Sequence, residues 1–531
     1  MRIAIALAVA AFSLQAFAAK KYVFVGWDVS DATPAEILAH ADKFDKTGCD
    51  GVAVALGCVL PSARQDVRKS LHVAELPRWR DENVSGLLPV LRAFGRHRSL
   101  RHSFFRIYTA PQKARLDWTD DGAWGLYADN LAFAAKLAKK VGFDGLVTDF
   151  EDYGKKYQSI WREGDPEWEA AKEIARRRGR EVFSRVFAEY PEITILTFML
   201  LTSDRAYAYS ADPVAYMEGK RDLWPSFVNG IYDVIPPGAK IVDGNENVGY
   251  RARASRNDFY RSACDQLVGV LPLVAPENRA KYRAQTSTSF GLFIDSYLLP
   301  TNSPYYMEPV RGRRITHFED NLRQATKCAD EYVWLYGCRG FFVDWPADLK
   351  DKSGNVWRSS GGGTWRRKYF ERREGRTKPW REMLDGDFDL VLRGVKDPAR
   401  CVREEYAKQK AAGTFVDLFA GKAMGVATNG NANAFVRQPK FETDGWYGLR
   451  VKGRGEVVFG NVYFQYNGSW RWNLGAFAFH FAKADAEGWR DGVALVRIPD
   501  GANNIVVVLK AGKDEKVRKV EFRDLEIFRI K

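Results

Sequence analysis

Short, nearly continuous apolar runs recur from Lys21 to Tyr336, separated by stretches with helical spacing of their apolar residues. The runs are 21–28, 50–56, 102–108, 145–151, 193–199, 240–246, 289–295 and 331–336. Strands apolar on both faces belong to parallel sheets covered on both sides, because each crossover helix lays an apolar stripe over the sheet. Between the first two runs, Thr33-Pro34-Ala35-Glu36 is a capping box with proline at the first helical position. Helical periodicity also fills 121–141, and Asp165-Pro166 opens a long helix reaching Glu189. Eight strand–helix units predict an α/β fold, a (β/α)8 TIM barrel. An open doubly wound sheet is the rival. No Gly-x-Gly-x-x-Gly follows the first strand, which disfavours a dinucleotide site.

The texture changes after Asp397-Pro398, which opens a helix from Ala399 to Ala412 with Gly413 as its stop. Beyond it, short alternating segments such as 447–451, 462–466, 493–498 and 504–509 are divided by turn signals, Asn467-Gly468 among them. That pattern predicts an all-β sandwich like a carbohydrate-binding module. At the other end, Met1-Arg2, an apolar run from Ile3 to Leu14, and Ala16-Phe17-Ala18 form a signal-peptide pattern. The run is short of the roughly 20 apolar residues that a membrane span needs. The expected organisation is a signal peptide over 1–18, a barrel over 19–398, a linker helix over 399–413 and a sandwich over 414–531. The expected location is secreted or periplasmic, with no membrane span.

Cysteine and histidine are scarce, at six residues each, with no Cys-x-x-Cys, His-x-x-x-His or His-Glu-x-x-His motif. No metal site and no cofactor is therefore expected, and disulfide pairing stays open. The net charge of +14 comes from dispersed basic residues, which argues against nucleic acid and leaves an acidic polysaccharide as a suitable partner.

Function in a (β/α)8 barrel collects at the carboxyl ends of the strands. There stand Trp27 and Asp28, then Tyr108, then Asp149, Glu151, Asp152 and Tyr153. They are followed by Asp243 and Glu246, then Asp295, then Trp334 and Tyr336, with Trp345 in the next loop. Carboxylates for proton transfer among rings that stack on pyranose faces predict a sugar site. Asp149 and Glu151, two apart, are expected on one face, where mutual repulsion raises one pKa and makes a proton donor. Glu246 is the expected second catalytic carboxylate, or else an N-terminal cap for the following helix. A separation of about 5–5.5 Å between catalytic carboxyls would mean retention, and about 6.5–9.5 Å inversion. Trp27, Asp28, Tyr108, Asp152, Tyr153, Asp295, Trp334 and Trp345 are expected to bind substrate. Trp470 and Trp472 could form a glycan platform on the sandwich or pack its interior.

The segment Asp144-Gly-Leu-Val-Thr-Asp149-Phe-Glu151 resembles the fourth-strand motif Asp-Gly-x-Asp-x-Asp-x-Glu of the chitinase and endo-β-N-acetylglucosaminidase family. The resemblance implies Glu151 as proton donor and Asp149 as the group that orients an N-acetyl substituent. Val147 stands where that family has its inner Asp, and the family's Met-x-Tyr-Asp at strand six is missing. The barrel-plus-sandwich order also resembles secreted bacterial glycoside hydrolases. The expected function is hydrolysis of a poly- or oligosaccharide. The alternative is a glycan-binding barrel without catalysis.

Overall fold

The computed structural model describes residues 20–26, 29, 32–45, 49–56, 73–75, 77–152, 157–202, 213–250, 259, 262–297, 299, 301–312, 314–337, 398–414, 416–427, 430–443, 445–455, 458–470, 477–498, 502–511 and 519–530. Nine parallel segments form one sheet: β1 (Lys21–Phe24), β2 (Gly51–Ala55), β3 (Phe104–Tyr108), β4 (Gly145–Asp149), β5 (Thr194–Thr197), β6 (Lys240–Asp243), β7 (Thr286–Thr288), β8 (Gly291–Phe293) and β9 (Tyr332–Tyr336). Each of β1 to β6 pairs with the next, β6 pairs with β7, β8 pairs with β9, and β9 returns to β1.

Only Ser289 and Phe290 separate β7 from β8, so the two are halves of one kinked strand that bonds to β6 with its first half and to β9 with its second. At the kink Ser289 N–H donates to the Asp243 carbonyl at 2.9 Å, and Trp334 N–H donates to the Phe290 carbonyl at 3.1 Å. The ring therefore closes. Closure leaves two apolar layers. Outside the strands, one large core joins them to helices Asp121–Val141, Trp168–Glu189 and Trp224–Val234. Inside, Val23, Val25, Ala53, Phe104, Val147, Leu196, Phe198, Val242, Tyr332 and Trp334 form a separate cluster. Inward side chains from β1 to β6 and β9 meet there, as filled barrels require.

Helix Asp121–Val141 starts and stops where its ends are chemically satisfied. Asp120 caps Asp121–Val141 by accepting the Ala123 N–H at 2.9 Å, and Gly142, at φ 80°, ends it in the left-handed conformation. The amino ends of the strands carry a compact ion network. Asp144 faces His102 at 3.0 Å and accepts from the Tyr332 hydroxyl at 2.8 Å, while Lys21 bonds Glu331 at 2.7 Å. Burial alone would raise the Asp144 pKa; His102, Lys21 and Tyr332 hold it below the usual range. Charge at this end of a barrel serves stability. Asp144, the first residue of the fourth-strand motif, thus lies at the opposite end of the strand from the site.

Past the barrel, helix Pro398–Ala412 is followed by two antiparallel sheets, one of six strands and one of five. The first runs Val416–Asp417, Lys519–Arg529, Trp446–Arg454, Trp489–Arg497, His480–Phe481, with Met424–Ala427 also on Lys519–Arg529. The second runs Asn431–Arg437, Asn504–Ala511, Val458–Tyr466, Ser469–Trp470, with Phe477–Ala478 also on Val458–Tyr466. Their facing apolar residues make a sandwich core. Val402 and Tyr406 of the helix, with Trp446, Val493, Leu495 and Phe528 of the first sheet, join the barrel's outer core. Trp470 lies at the edge of the second sheet near Phe435 and Tyr463, not in the sandwich interior; Trp472 lies outside the described residues.

Among the described residues no helix is long and apolar enough to cross a membrane. Residues 1–18, expected as a signal peptide, lie outside the described set, as do Cys58 and Cys338; Cys49, Cys264 and Cys328 are buried and Cys401 is half-buried.

Closure gives a direct test. A Cβ added at Gly291 would sit 2.2 Å from Trp334 Cζ2, closer than any packing allows. Gly291→Ala is expected to cost at least the roughly 1–3 kcal/mol of an overpacked core, read as a lowered melting temperature. An unchanged melt would mean that β8 does not close against β9.

Candidate functional site

Arg106 is the charged residue in the middle of the apolar strand β3, and it is 1% exposed. Nη1 donates to the Val25 carbonyl at 2.9 Å and Nη2 to the Tyr108 hydroxyl at 3.1 Å, while Nη2 stands 3.9 Å from Asp149 Oδ2. The guanidinium also lies over the rings of Tyr108 and Phe198. A buried cation held this way anchors the carboxylate at the end of β4. Val147, beside Arg106 in the β3–β4 register, points into the barrel core. Arg106 is thus the charged neighbour of Asp149, while Val147 stands where the resembled motif has its inner Asp.

Strand β4 ends at Asp149, and the Glu151 N–H donates to Asp149 Oδ1 at 3.0 Å. Asp149 therefore shapes the turn, and Glu151 leaves the strand instead of sharing its face, contrary to the alternation expected for an unbroken strand. Asp149 is fully buried, whereas Glu151 and Asp152 are half-buried and line a cavity.

Glu246 arrives from β6. Asn245 adopts a left-handed conformation at φ 40°, and its N–H donates to Asp243 Oδ1 at 3.3 Å; Glu246 then opens the short helix Glu246–Gly249. Asparagine tolerates that conformation better than most residues. Asp243 also accepts from the Thr202 hydroxyl at 3.1 Å. Burial pushes its pKa up to about 7 despite these bonds.

The Glu246 carboxyl is pushed up to about 8 by burial first, then by the negative charges of Glu151 and Asp149, with Tyr250 and Arg106 acting the other way. Its Oε2 is buried without a hydrogen-bond partner among the described residues. Glu246, Glu151 and Asp149 are thus brought together at the barrel mouth, and Glu246 is the member whose proton persists into neutral solution. The resemblance implies Glu151 as donor; the raised Glu246 carboxyl is a second group that can hold a proton near neutrality.

Beside Glu246 stands an aromatic wall. Tyr250 lies 5.2 Å from Phe293 and 5.9 Å from Tyr336, and Tyr305 packs edge-on to Phe293 at 5.5 Å. Tyr305 is 45% exposed, which leaves ring surface for a ligand. Tyr250, Tyr305 and Arg106 were not among the expected site residues. Only Arg106 carries a sequence signal, a charge inside an otherwise apolar strand.

Three expected substrate contacts are packed away. Trp334 has no exposed surface: it stacks on Phe198 at 4.6 Å, and its Nε1 donates to the Gly244 carbonyl at 2.8 Å. Its ring fills the barrel, since an inward residue of a closed ring is interior unless it stands at the rim. Tyr108 is 4% exposed and serves Arg106, and Asp295 is buried in the turn Ile294–Tyr297 after β8. Trp27, Asp28, Tyr153 and Trp345 lie outside the described residues. Among the described residues no group of three His, Cys, Asp or Glu side chains is arranged to hold a metal ion.

No known sequence family and no curated protein matches the chain. In fold it is similar to a glucosidase from Croceicoccus marinus, at 11% identity over 97% of this chain and 96% of that one, with a TM-score of 0.38. It is also similar to GH5_18 from Streptomyces cattleya solved with GlcNAc, at 14% identity over 71% and 91% of the two chains, TM-score 0.38. A sugar phosphate isomerase/epimerase from Parabacteroides distasonis, at 8% identity over 67% and 99%, TM-score 0.33, is a further distant likeness. These are distant resemblances to TIM-barrel proteins and assign no residue here.

The raised carboxyls predict a pH-dependent stability. With folded pKa values of about 8 for Glu246 and about 7 for Asp243, above the ordinary carboxyl values, the folded chain binds more protons than the unfolded one in that window. Stability is therefore fully present below the unfolded pKa and falls as pH rises toward 8. Glu246→Gln is expected to raise the melting temperature at pH 8 and to flatten its decline from pH 5. An identical slope in both proteins would count against a protonated Glu246.

Proposed function

We propose that the protein is a glycoside hydrolase acting at the mouth of the barrel. The observation that carries this reading is the Glu246 carboxyl, one oxygen of which is shut off from solvent without a partner among the described residues, facing Glu151 and Asp149 at the carboxyl ends of β4 and β6. Glycosidic cleavage needs one carboxyl that donates a proton to the leaving oxygen and one carboxylate that attacks or activates water. Glu246, kept protonated by depth and repulsion, takes the donor's part. Glu151, nearer solvent, takes the carboxylate's. Asp149, held by Arg106 and by the Glu151 N–H, is the positioning group that also keeps negative charge beside Glu246. The sugar lies against Tyr250 and Tyr305, whose rings suit an apolar pyranose face.

The electrostatics favour a neutral sugar over the acidic polysaccharide that net charge suggests. Asp149, Glu151, Asp152 and Glu246 gather at the mouth, whereas the buried Arg106 is already bonded to Val25 and Tyr108. An anionic sugar would meet repulsion there. No metal or organic cofactor enters this mechanism. Export is part of the same proposal: the protein recovered outside the cytoplasm should begin at Ala19, which amino-terminal sequencing reads directly.

Hydrolysis should follow a bell-shaped pH profile with its basic limb near pH 8. Glu246→Gln and Glu151→Gln should each lower kcat by about 10²–10⁴-fold while the protein still melts cooperatively. Reducing-end release from neutral oligosaccharides, measured across pH in all three proteins, checks this. Binding without release, unchanged by either substitution, would support the glycan-binding alternative and end the hydrolytic reading.

A further inference from the structure

A lateral cavity of about 390 Å³ opens beside Glu151, between the loops that follow β3, β4 and β5. Its inner wall is made of Trp118 and Trp124, stacked at 5.1 Å, and of Trp224 and Phe227, stacked at 5.5 Å. Trp118, Trp124 and Phe227 are each at most 4% exposed, so the wall is preformed and rigid.

Most polar atoms in this wall are already committed, and Trp118 Nε1 is sealed from the cavity without a hydrogen-bond partner among the described residues. Trp124 Nε1 donates to the Asp117 carbonyl at 2.9 Å and Trp224 Nε1 to the Leu200 carbonyl at 2.6 Å. The Tyr127 hydroxyl donates to the Thr109 carbonyl at 3.1 Å, and the Gln158 amide is bonded both ways to the Leu116 backbone, at 2.7 and 3.0 Å. A pyranose placed against this inner wall would bury most of its hydroxyls beside rings whose polar atoms are bonded or sealed from the cavity. An apolar group loses nothing and gains the full burial of its surface. Acidic groups stand elsewhere in the lining, with Glu151 and Asp152 following β4 and Asp222 beside Trp224.

We propose that this cavity holds an apolar group carried by the sugar on which the barrel acts, so that the substrate is a hydrophobic glycoconjugate of a neutral sugar and not a plain polysaccharide. The inference rests on the hydrolytic reading for the sugar and on the cavity alone for its apolar partner. The sugar occupies the polar mouth by Glu246 and the aromatic wall of Tyr250. Its apolar group turns sideways past Glu151 onto the tryptophans. The attachment is through the glycosidic oxygen or through an ester on the ring, and the chemistry of recognition is the same in both cases.

The probes are octyl and methyl β-glycosides of glucose, galactose, mannose and N-acetylglucosamine, together with the 6-O-octanoyl sugars. Binding to the full-length protein is read from the fluorescence of the cavity tryptophans and by calorimetry. At least one octyl glycoside or octanoyl ester should bind ten-fold or more tightly than the methyl glycoside of the same sugar, and whichever does so identifies the attachment. Ser159→Phe, which fills the cavity, should erase that preference, and Ala110→Phe repeats the test if the first variant melts early. Equal binding of octyl and methyl forms for every sugar, or a preference that survives filling in a folded variant, would overturn the inference. Cleavage of the same compounds, measured with and without Glu246→Gln, separates the two readings. Glu246-dependent cleavage with no chain preference sinks only the cavity assignment, and chain preference with no cleavage sinks only the hydrolase.

Discussion

Closure of the parallel sheet is the constraint on which the rest of the structure depends. Because 286–293 must bond to β6 with one half and to β9 with the other, the strand kinks at Ser289-Phe290 and the sheet has no free edge. A closed parallel ring puts every carboxyl end on one rim. Asp149 from β4 and Glu246 from beyond β6 come within each other's field for that reason, although 97 residues separate them in the chain (246 − 149). The opposite rim carries the His102–Asp144–Tyr332 network, so charge at the two ends serves different purposes.

The site is a gradient of depth. Arg106 and Asp149 are sealed from solvent, while Glu246 and Glu151 are both half-buried, with one Glu246 oxygen shut off from solvent and its charge disfavoured. Beside the gradient lie two aromatic surfaces of different character. The Tyr250–Tyr305 wall is partly open at the mouth, whereas the Trp118–Trp124–Trp224 cavity is lateral and walled mainly by apolar rings. A substrate using both has a polar body and an apolar appendage.

Much of this was legible in the sequence, for identifiable reasons. Near-continuous apolar runs marked the strands because a barrel buries both faces, and helix 121–141 could be placed from its periodicity and its closing glycine. Glu151, Asp149 and Glu246 stood out because acids do not end buried strands by accident. What spacing could not convey was depth. Trp334 and Tyr108 alternate inward as expected, yet an inward residue one layer below the rim is core and not site. The expected shared face of Asp149 and Glu151 failed because Asp149 ends its strand by accepting the next turn's N–H. The tryptophan cavity draws on segments more than a hundred residues apart, from Trp118 to Phe227, and no local pattern announces it.

The central claim is that Glu246 holds its proton into neutral solution because Glu151 and Asp149 face it in a buried site. The direct measurement is a carbon-13 NMR titration of the Glu246 side-chain carboxyl, in the native protein and in Glu151→Gln. The account predicts a midpoint near pH 8 in the native protein, moving down toward the ordinary glutamate range when the Glu151 charge is removed. An ordinary carboxyl midpoint in the native protein, unmoved by Glu151→Gln, would contradict it.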